Sequence, residues 1–141
     1  MKTGKDQGEG MVVLDTSFII DYLNEQEEAV KHFSKLTQRN EEMSTTIINI
    51  YELQVGLRKS SKKEKNQHII NELRKNVPVY SMDLGVIDIA TRLSNTLAEN
   101  GETINVFDIF IAAMCLSNGE KILTRNVKDF KKIKELEIET Y

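Results

Sequence analysis

Met11-Val12-Val13-Leu14-Asp15-Thr16-Ser17-Phe18-Ile19-Ile20-Asp21-Tyr22-Leu23 is the stretch whose reading decides the fold. Its first five residues, Met11 to Asp15, form a short β-branched run that reads as a strand. Within three residues it passes into Phe18 to Leu23, which reads as helix and is followed by helical periodicity from Glu27 to Leu36. Breaks fall near Asn24 and Asn40. A strand that gives way to helix rather than to a hairpin turn calls for a crossover and a parallel neighbour. Asp15 then stands at the carboxyl end of the first strand, the edge at which open α/β sheets bind ligands.

The rest of the chain repeats this alternation without internal repeats or low-complexity linkers. Met43 to Thr46 is expected as a second strand, and Ile47 to Lys59 and Lys62 to Lys75 as helices parted at Ser60-Ser61. Val77 to Tyr80, carrying the only proline, is a third strand. Asp83 caps a long helix to Glu99, which Asn100-Gly101 stops. Asn105, or the residues after it, opens a helix to Ser117. A strand from Lys121 to Thr124, a short helix from Asp129 to Ile133 and an edge strand from Leu136 to Thr140 complete the chain. The fold class is α/β, a layered sheet with helices on both faces.

At 141 residues the chain is most simply one domain. Folding at that size buries roughly two-thirds of the unfolded chain's surface, enough for a full core. Hydrophobic residues at 40% and charged residues at 29% exclude a mostly disordered chain. The single cysteine, Cys115, cannot form an intramolecular disulfide, and its apolar neighbours point to a buried, inert thiol in a reducing cytoplasm. The apolar run Ile109 to Leu116 is too short to span a membrane, and the N-terminus lacks the apolar core of a signal peptide. Residues Met1 to Gly10, polar and without periodicity, are expected to be a disordered extension ahead of a domain at 11–141.

Net charge is −3, yet eleven of the 19 Lys and Arg residues lie in two short stretches, Arg58 to Lys65 and Lys121 to Lys134. Local fields rather than net charge steer phosphates. For either stretch alone, a solvated helix face is the better reading.

Three acids lie in or against strongly apolar segments: Asp15, Glu52 and Asp108. A carboxylate withdrawn from water must be paired, hydrogen-bonded, protonated or bound to a cation. Taken singly, each has an ordinary explanation. Asp15 is as credible a helix cap as a ligand, although Thr16 or Ser17 would cap equally well. Glu52, with Ile48 and Val55 beside it on a helix, reads as a boundary residue reaching solvent near Lys59. Asp108 sits in the first turn of an almost wholly apolar helix, where Asn105 as N-cap and the positive dipole would accommodate it.

One divalent cation would account for all three at once, since clustered carboxylates repel unless a hard cation neutralises them. Mg²⁺ or Mn²⁺ suits an all-oxygen set. No loop has EF-hand spacing for calcium, and isolated His32, His68 and Cys115 do not make a zinc site.

The motifs now resemble a known family. Val13 to Leu23 is similar to the opening motif of PIN-domain ribonucleases, especially the VapC toxins of prokaryotic toxin–antitoxin pairs. Tyr51-Glu52-Leu53-Gln54-Val55-Gly56-Leu57 resembles their second motif, Phe107 to Ala113 the third, and Ile122 to Phe130 the fourth. Four in register over most of the chain make a specific signal.

The resemblance implies a three-layer α/β/α sandwich with a five-stranded parallel sheet and an acidic metal pocket at the carboxyl edge. Asp15, Glu52 and Asp108 map onto the family's metal-binding acids, and Asn126 stands at the fourth position, often Asp in the wider family. Asp129 is a fallback ligand, with capping of the following helix the preferred role. Thr16 and Thr124 are placed to orient a carboxylate or water, local turn bonding being an equal reading. Asp21 is taken as a surface acid. The implied activity is Mg²⁺- or Mn²⁺-dependent endoribonuclease cleavage leaving 5′-phosphate ends, with Arg58, Lys59 and Arg125 contacting RNA. A homodimer and a small antitoxin partner are also implied. The alternative is a catalytically silent PIN-like module that binds RNA or a protein partner. A phosphorylated receiver is disfavoured because Glu52 lies mid-helix, and an Asp-nucleophile phosphatase because Ser17 occupies the place of its second Asp.

Overall fold

The structure, a computed structural model, describes residues 11–141. The expected extension at residues 1–10 lies outside the described residues. Five strands, β1 (Met11–Leu14), β2 (Glu42–Thr46), β3 (Val79–Tyr80), β4 (Lys121–Leu123) and β5 (Ile138–Glu139), form one sheet in the order β3-β2-β1-β4-β5. Every pairing is parallel, as the alternation of strand and helix requires.

The crossovers are helical. Helices α1 (Thr16–Leu23) and α2 (Glu27–Gln38) link β1 to β2. Helices α3 (Ile47–Gly56) and α4 (Lys63–Asn76), joined by a 3-10 turn at Leu57–Lys59, link β2 to β3. Helices α5 (Leu84–Glu99) and α6 (Val106–Ser117) cross to β4, and the single turn α7 (Val127–Phe130) precedes β5. Capping follows local chemistry: Asp83 accepts from the Val86 amide, Asn105 from Phe107, Thr46 from Asn49 and Gln26 from Ala29. Gly101, at φ +68°, ends α5 in the left-handed conformation that Asn100-Gly101 announces.

Period-two alternation in the strands divides the core into two layers. Val13 and Ile122 face one way, into α5, α6 and Phe130, Ile133 and Leu136. Val12, Leu14 and Leu123 face the other way, into Phe18, Ile19 and Leu23 of α1, Leu36 of α2, Leu53 of α3 and Ile70 of α4. The result is the three-layer α/β/α sandwich. Cys115 is fully buried in the first layer.

The chain order crosses over at β1: α1 and α2 carry it to one side, whereas β4 pairs on the other side. Such a switch point opens a crevice at the carboxyl ends of the two strands. Here it lies between Asp15, after β1, and Thr124, after β4.

Two expectations change. The last short helix is Val127–Phe130, not Asp129 to Ile133, because Phe130 and Ile133 are drawn into the core. Lys121 does not belong to an exposed basic face. Its Nζ lies 2.9 Å from both Glu41 and Glu139, inside a cluster that also holds His32 and Arg39. Burial alone would raise the Glu139 pKa. Hydrogen bonds from Lys121, His32 and Arg39 and the Lys121 charge outweigh it and hold the carboxyl at about 2, below its ordinary 4.5.

An acid with a depressed folded pKa contributes stability above about 4.5, lost as pH falls towards about 2. Glu139→Gln is therefore expected to lower stability by roughly 2 kcal/mol at neutral pH. In unfolding titrations, the gap to wild type should close below pH 4.5. A constant gap down to pH 2 would refute the ionic origin.

Candidate metal and nuclease site

Asp15 occupies the N-cap position of α1 but makes no side-chain capping bond. Its carboxylate, 5% exposed, turns instead into the crevice. One oxygen accepts from Asn49 Nδ2 at 3.1 Å. The other accepts from Thr124 Oγ1 at 2.6 Å and Ser17 Oγ at 3.2 Å. The Thr124 hydroxyl in turn accepts from the Asn126 amide, and Ser17 Oγ from the Arg125 amide, so the loop after β4 is tied to the loop after β1.

Glu52 is half-buried and makes no ion pair with Lys59. It accepts a 2.6 Å bond from Thr16 Oγ1, across the seam between α3 and α1. Burial, and secondarily the charge of Asp15, raise its pKa, while the Thr16 bond opposes them. Thr16 thus orients a carboxylate rather than serving a local turn.

Asp108 lies in the first turn of α6, half-buried, with Asn126 Nδ2 at a long 3.4 Å from its Oδ2. Burial first, then the charges of Asp15, Glu52 and Asp129, push its carboxyl up to about 7. The helix dipole, which would favour the ionised form, is outweighed. Asn126 opens α7 without a side-chain capping bond, leaving its amide to face Asp108. Asp129 is not a cap either. It sits in the first turn of α7, 3.7 Å from Lys132, close enough for its charge to be felt at Asp108.

Sequence reasoning missed Asn49. Fully buried, it accepts from Thr46 Oγ1 at 2.6 Å, which fixes the amide so that Nδ2 donates to both Asp15 and Thr16 Oγ1, the latter at 2.9 Å. The available signal was its place three residues before Glu52 in an otherwise apolar helix face. Asn49→Ala removes the amide donor to one Asp15 oxygen and to Thr16 Oγ1, and is expected to lower stability by about 1–3 kcal/mol. RNA cleavage should fall about tenfold, roughly 1.4 kcal/mol in the barrier. An unchanged denaturation midpoint and cleavage rate would remove Asn49 from the site.

Asp21 also differs from expectation. It is 7% exposed, accepts from Arg125 Nη1 at 2.8 and 2.7 Å, and accepts from the Tyr141 hydroxyl at 2.6 Å. Arg125 is thereby anchored beside the crevice while about two-thirds of its side chain stays exposed. Arg58 and Lys59 are exposed on the 3-10 turn that follows α3.

Among the described residues, no Lys, Arg or His forms an ion pair with Asp15, Glu52 or Asp108. No three acids stand at ready-made ligand distances either. Carboxylates without a counter-charge favour protonation, as the raised pKa values of Asp108 and Glu52 show. An all-oxygen set destabilised by its own charge fits a hard divalent cation.

Comparison with known proteins matches a PIN domain over residues 12–136. The chain belongs to the PIN-domain family. Ribonuclease VapC2 of Rickettsia felis is 26% identical over 136 residues, covering 92% of this chain and 96% of the relative. The tRNA(fMet)-specific endonuclease VapC of Shigella flexneri is 26% identical over 129 residues, with the same coverage. Among solved structures, the DNA-bound VapBC of Salmonella typhimurium superposes with a TM-score of 0.78 at 26% identity, covering 93% of this chain and 98% of that one. In this PIN domain, the starts of α1, α6 and α7 and the middle of α3 bring the acids and amides to one crevice.

Proposed function

We propose that this PIN domain, comprising residues 11–141, is a divalent-metal-dependent endoribonuclease and the toxin of a toxin–antitoxin pair. One observation carries the reading: three carboxylates from β1, α3 and α6 face one crevice at the sheet's switch point without a cationic partner among the described residues. The names of its VapC relatives support the same activity.

Asp15, Glu52 and Asp108 would hold Mg²⁺ or Mn²⁺, with Asn126 contributing an uncharged amide at the fourth position. A cation bound there supplies Lewis-acid polarisation of a phosphoryl oxygen and of the attacking water. The chain's own residues do the rest. Thr16, Asn49, Ser17 and Thr124 fix the directions of the Asp15 and Glu52 carboxylates before substrate arrives, the pre-organisation that a displacement in line with the leaving 3′ oxygen needs. Arg125, Arg58 and Lys59 hold flanking phosphates, and Asp21 keeps the Arg125 guanidinium beside the crevice.

Homodimerisation has a suitable surface: Ile47, Tyr51 and Val55 form an exposed apolar stripe along α3, beside exposed Val106. A monomeric sedimentation coefficient at micromolar concentration would remove it. An antitoxin partner is supported by the VapBC structure, and action on cellular RNA would place the protein in the cytoplasm. Among the described residues no helix is long and apolar enough to cross a membrane. The activity is tested by incubating purified protein with RNA in Mg²⁺, Mn²⁺ or chelator, with Asp15→Ala in parallel. Cleavage by wild type in metal alone is expected. Equal cleavage in chelator, or by the variant, would overturn the reading.

A further inference from the structure

Thr16 and Glu52 meet across the seam between α1 and α3. Four residues further along each helix, on the same faces, Ile20 and Gly56 line a cavity of about 330 Å³. That volume is at the small end of the roughly 300–1,000 Å³ range of ligand pockets, and the cavity begins about one helical turn, ~5.4 Å, from the acid site.

Gly56 has no conformational reason to be glycine. Its φ of −66° and ψ of −24° are ordinary helical values, and a Cβ there would meet nothing within 4 Å. Alanine favours helix over glycine, so the bare position leaves the cavity mouth open at the fold's expense.

Apolar Ile20, Leu53 and Ile70 share the lining with polar Ser60, Lys59 and Lys62. Lys62 lies only 3.9 Å from exposed Glu25, a weak pairing that leaves the rim basic. At the floor, Asn66 is 7% exposed, and its Nδ2 donates to Ser60 Oγ at 2.9 Å. Its Oδ1 is buried with no donor among the described residues. A second hollow, which shares Leu57 with the first, is lined by Arg58, Lys63, Glu64, Gln67 and His68.

We propose that this pocket receives one base of single-stranded RNA next to the scissile phosphate: Gly56 admits it, the apolar wall covers its face, Asn66 meets its edge, and Lys59 and Lys62 hold the adjoining phosphates. The proposal rests on the nuclease reading of the acid site. An apolar peptide side chain would make no use of the basic rim, so the chemistry favours a base. A free nucleotide shares that chemistry.

The test uses the full chain with Asp108→Asn to prevent cleavage. Single-stranded RNA oligonucleotides carrying 4-thiouridine at successive positions are irradiated, and the adducts mapped by mass spectrometry. An adduct between Leu53 and Asn66 is expected from one position beside the cleaved junction. Gly56→Leu should lower its yield at least tenfold and, in the otherwise wild-type chain, flatten base preference at the cut without lowering the unfolding midpoint. If Gly56→Leu fails to fold, the exposed pair Lys59→Ala and Lys62→Ala should make the salt dependence of RNA binding shallower.

Adducts confined elsewhere, or Gly56→Leu cleaving the same junctions at the same rate, overturn the proposal. So does an adduct formed by 4-thiouridine monophosphate but not by RNA. Hexaglutamate binding lost in Gly56→Leu, with no RNA adduct, reassigns the pocket to a protein segment. Cleavage by wild type without a pocket adduct sinks this proposal alone, whereas a pocket adduct without cleavage sinks the nuclease reading alone.

Discussion

Asp15→Asn is expected to reduce metal-dependent RNA cleavage at least a hundredfold, about 2.7 kcal/mol or more in the barrier. Asp15 is the acid at the centre of the crevice, held by Asn49, Ser17 and Thr124. The substitution preserves shape but removes the charge that a hard cation requires. It also replaces an oxygen that accepts two hydroxyl bonds by an amide nitrogen, so Ser17 and Thr124 must find other acceptors. The expected secondary effect is a stability loss of about 1–3 kcal/mol. Circular dichroism at the assay temperature separates the two effects: a folded, inactive variant is expected. A folded variant with wild-type cleavage would remove Asp15 from the chemistry.

Asp108→Asn is expected to abolish cleavage to a similar extent but to move stability the other way. Burial and the charges of Asp15, Glu52 and Asp129 raise the Asp108 pKa to about 7 from an ordinary 3.8. Between these values the folded state binds more protons than the unfolded one, so this group's contribution falls as pH rises through the window. Asparagine does not titrate. The metal-free variant should therefore melt above wild type, by a margin that widens from pH 3.8 to about 7. Added Mg²⁺ should raise the melting temperature of wild type and leave the variant almost unchanged, because only a ligand bound to the folded state stabilises it. A variant less stable than wild type at neutral pH, or equally stabilised by Mg²⁺, would contradict the account of the acid cluster.

The alternation of β-branched runs with helical periodicity was enough to read the parallel sheet and both helical layers, because a strand buried on two faces leaves a local signal at each end. The acids were legible for a related reason: Asp15, Glu52 and Asp108 interrupt apolar segments where a charge needs compensation. Their partners were not legible. The bond from Thr16 to Glu52 spans 36 residues, and that from Thr124 to Asp15 spans 109. No periodicity within an element reports such pairings. Asn49 looked like an ordinary polar helix residue until the packing of α3 against α1 gave its amide two acceptors. Asp21 and Lys121 were misplaced for the converse reason. Charged residues read as surface by default, whereas each is drawn inward by opposite charges distant in sequence, Arg125 for one and Glu41 and Glu139 for the other.

The central claim is that the three carboxylates hold a divalent cation that cleaves RNA with water rather than with the RNA's own 2′-hydroxyl. The most direct measurement is the chemistry of the ends left by the purified wild-type protein in Mg²⁺. The account predicts 5′-phosphate and 3′-hydroxyl termini, formed only with divalent metal. Termini carrying 2′,3′-cyclic phosphate and 5′-hydroxyl groups, formed equally in chelator, would contradict it.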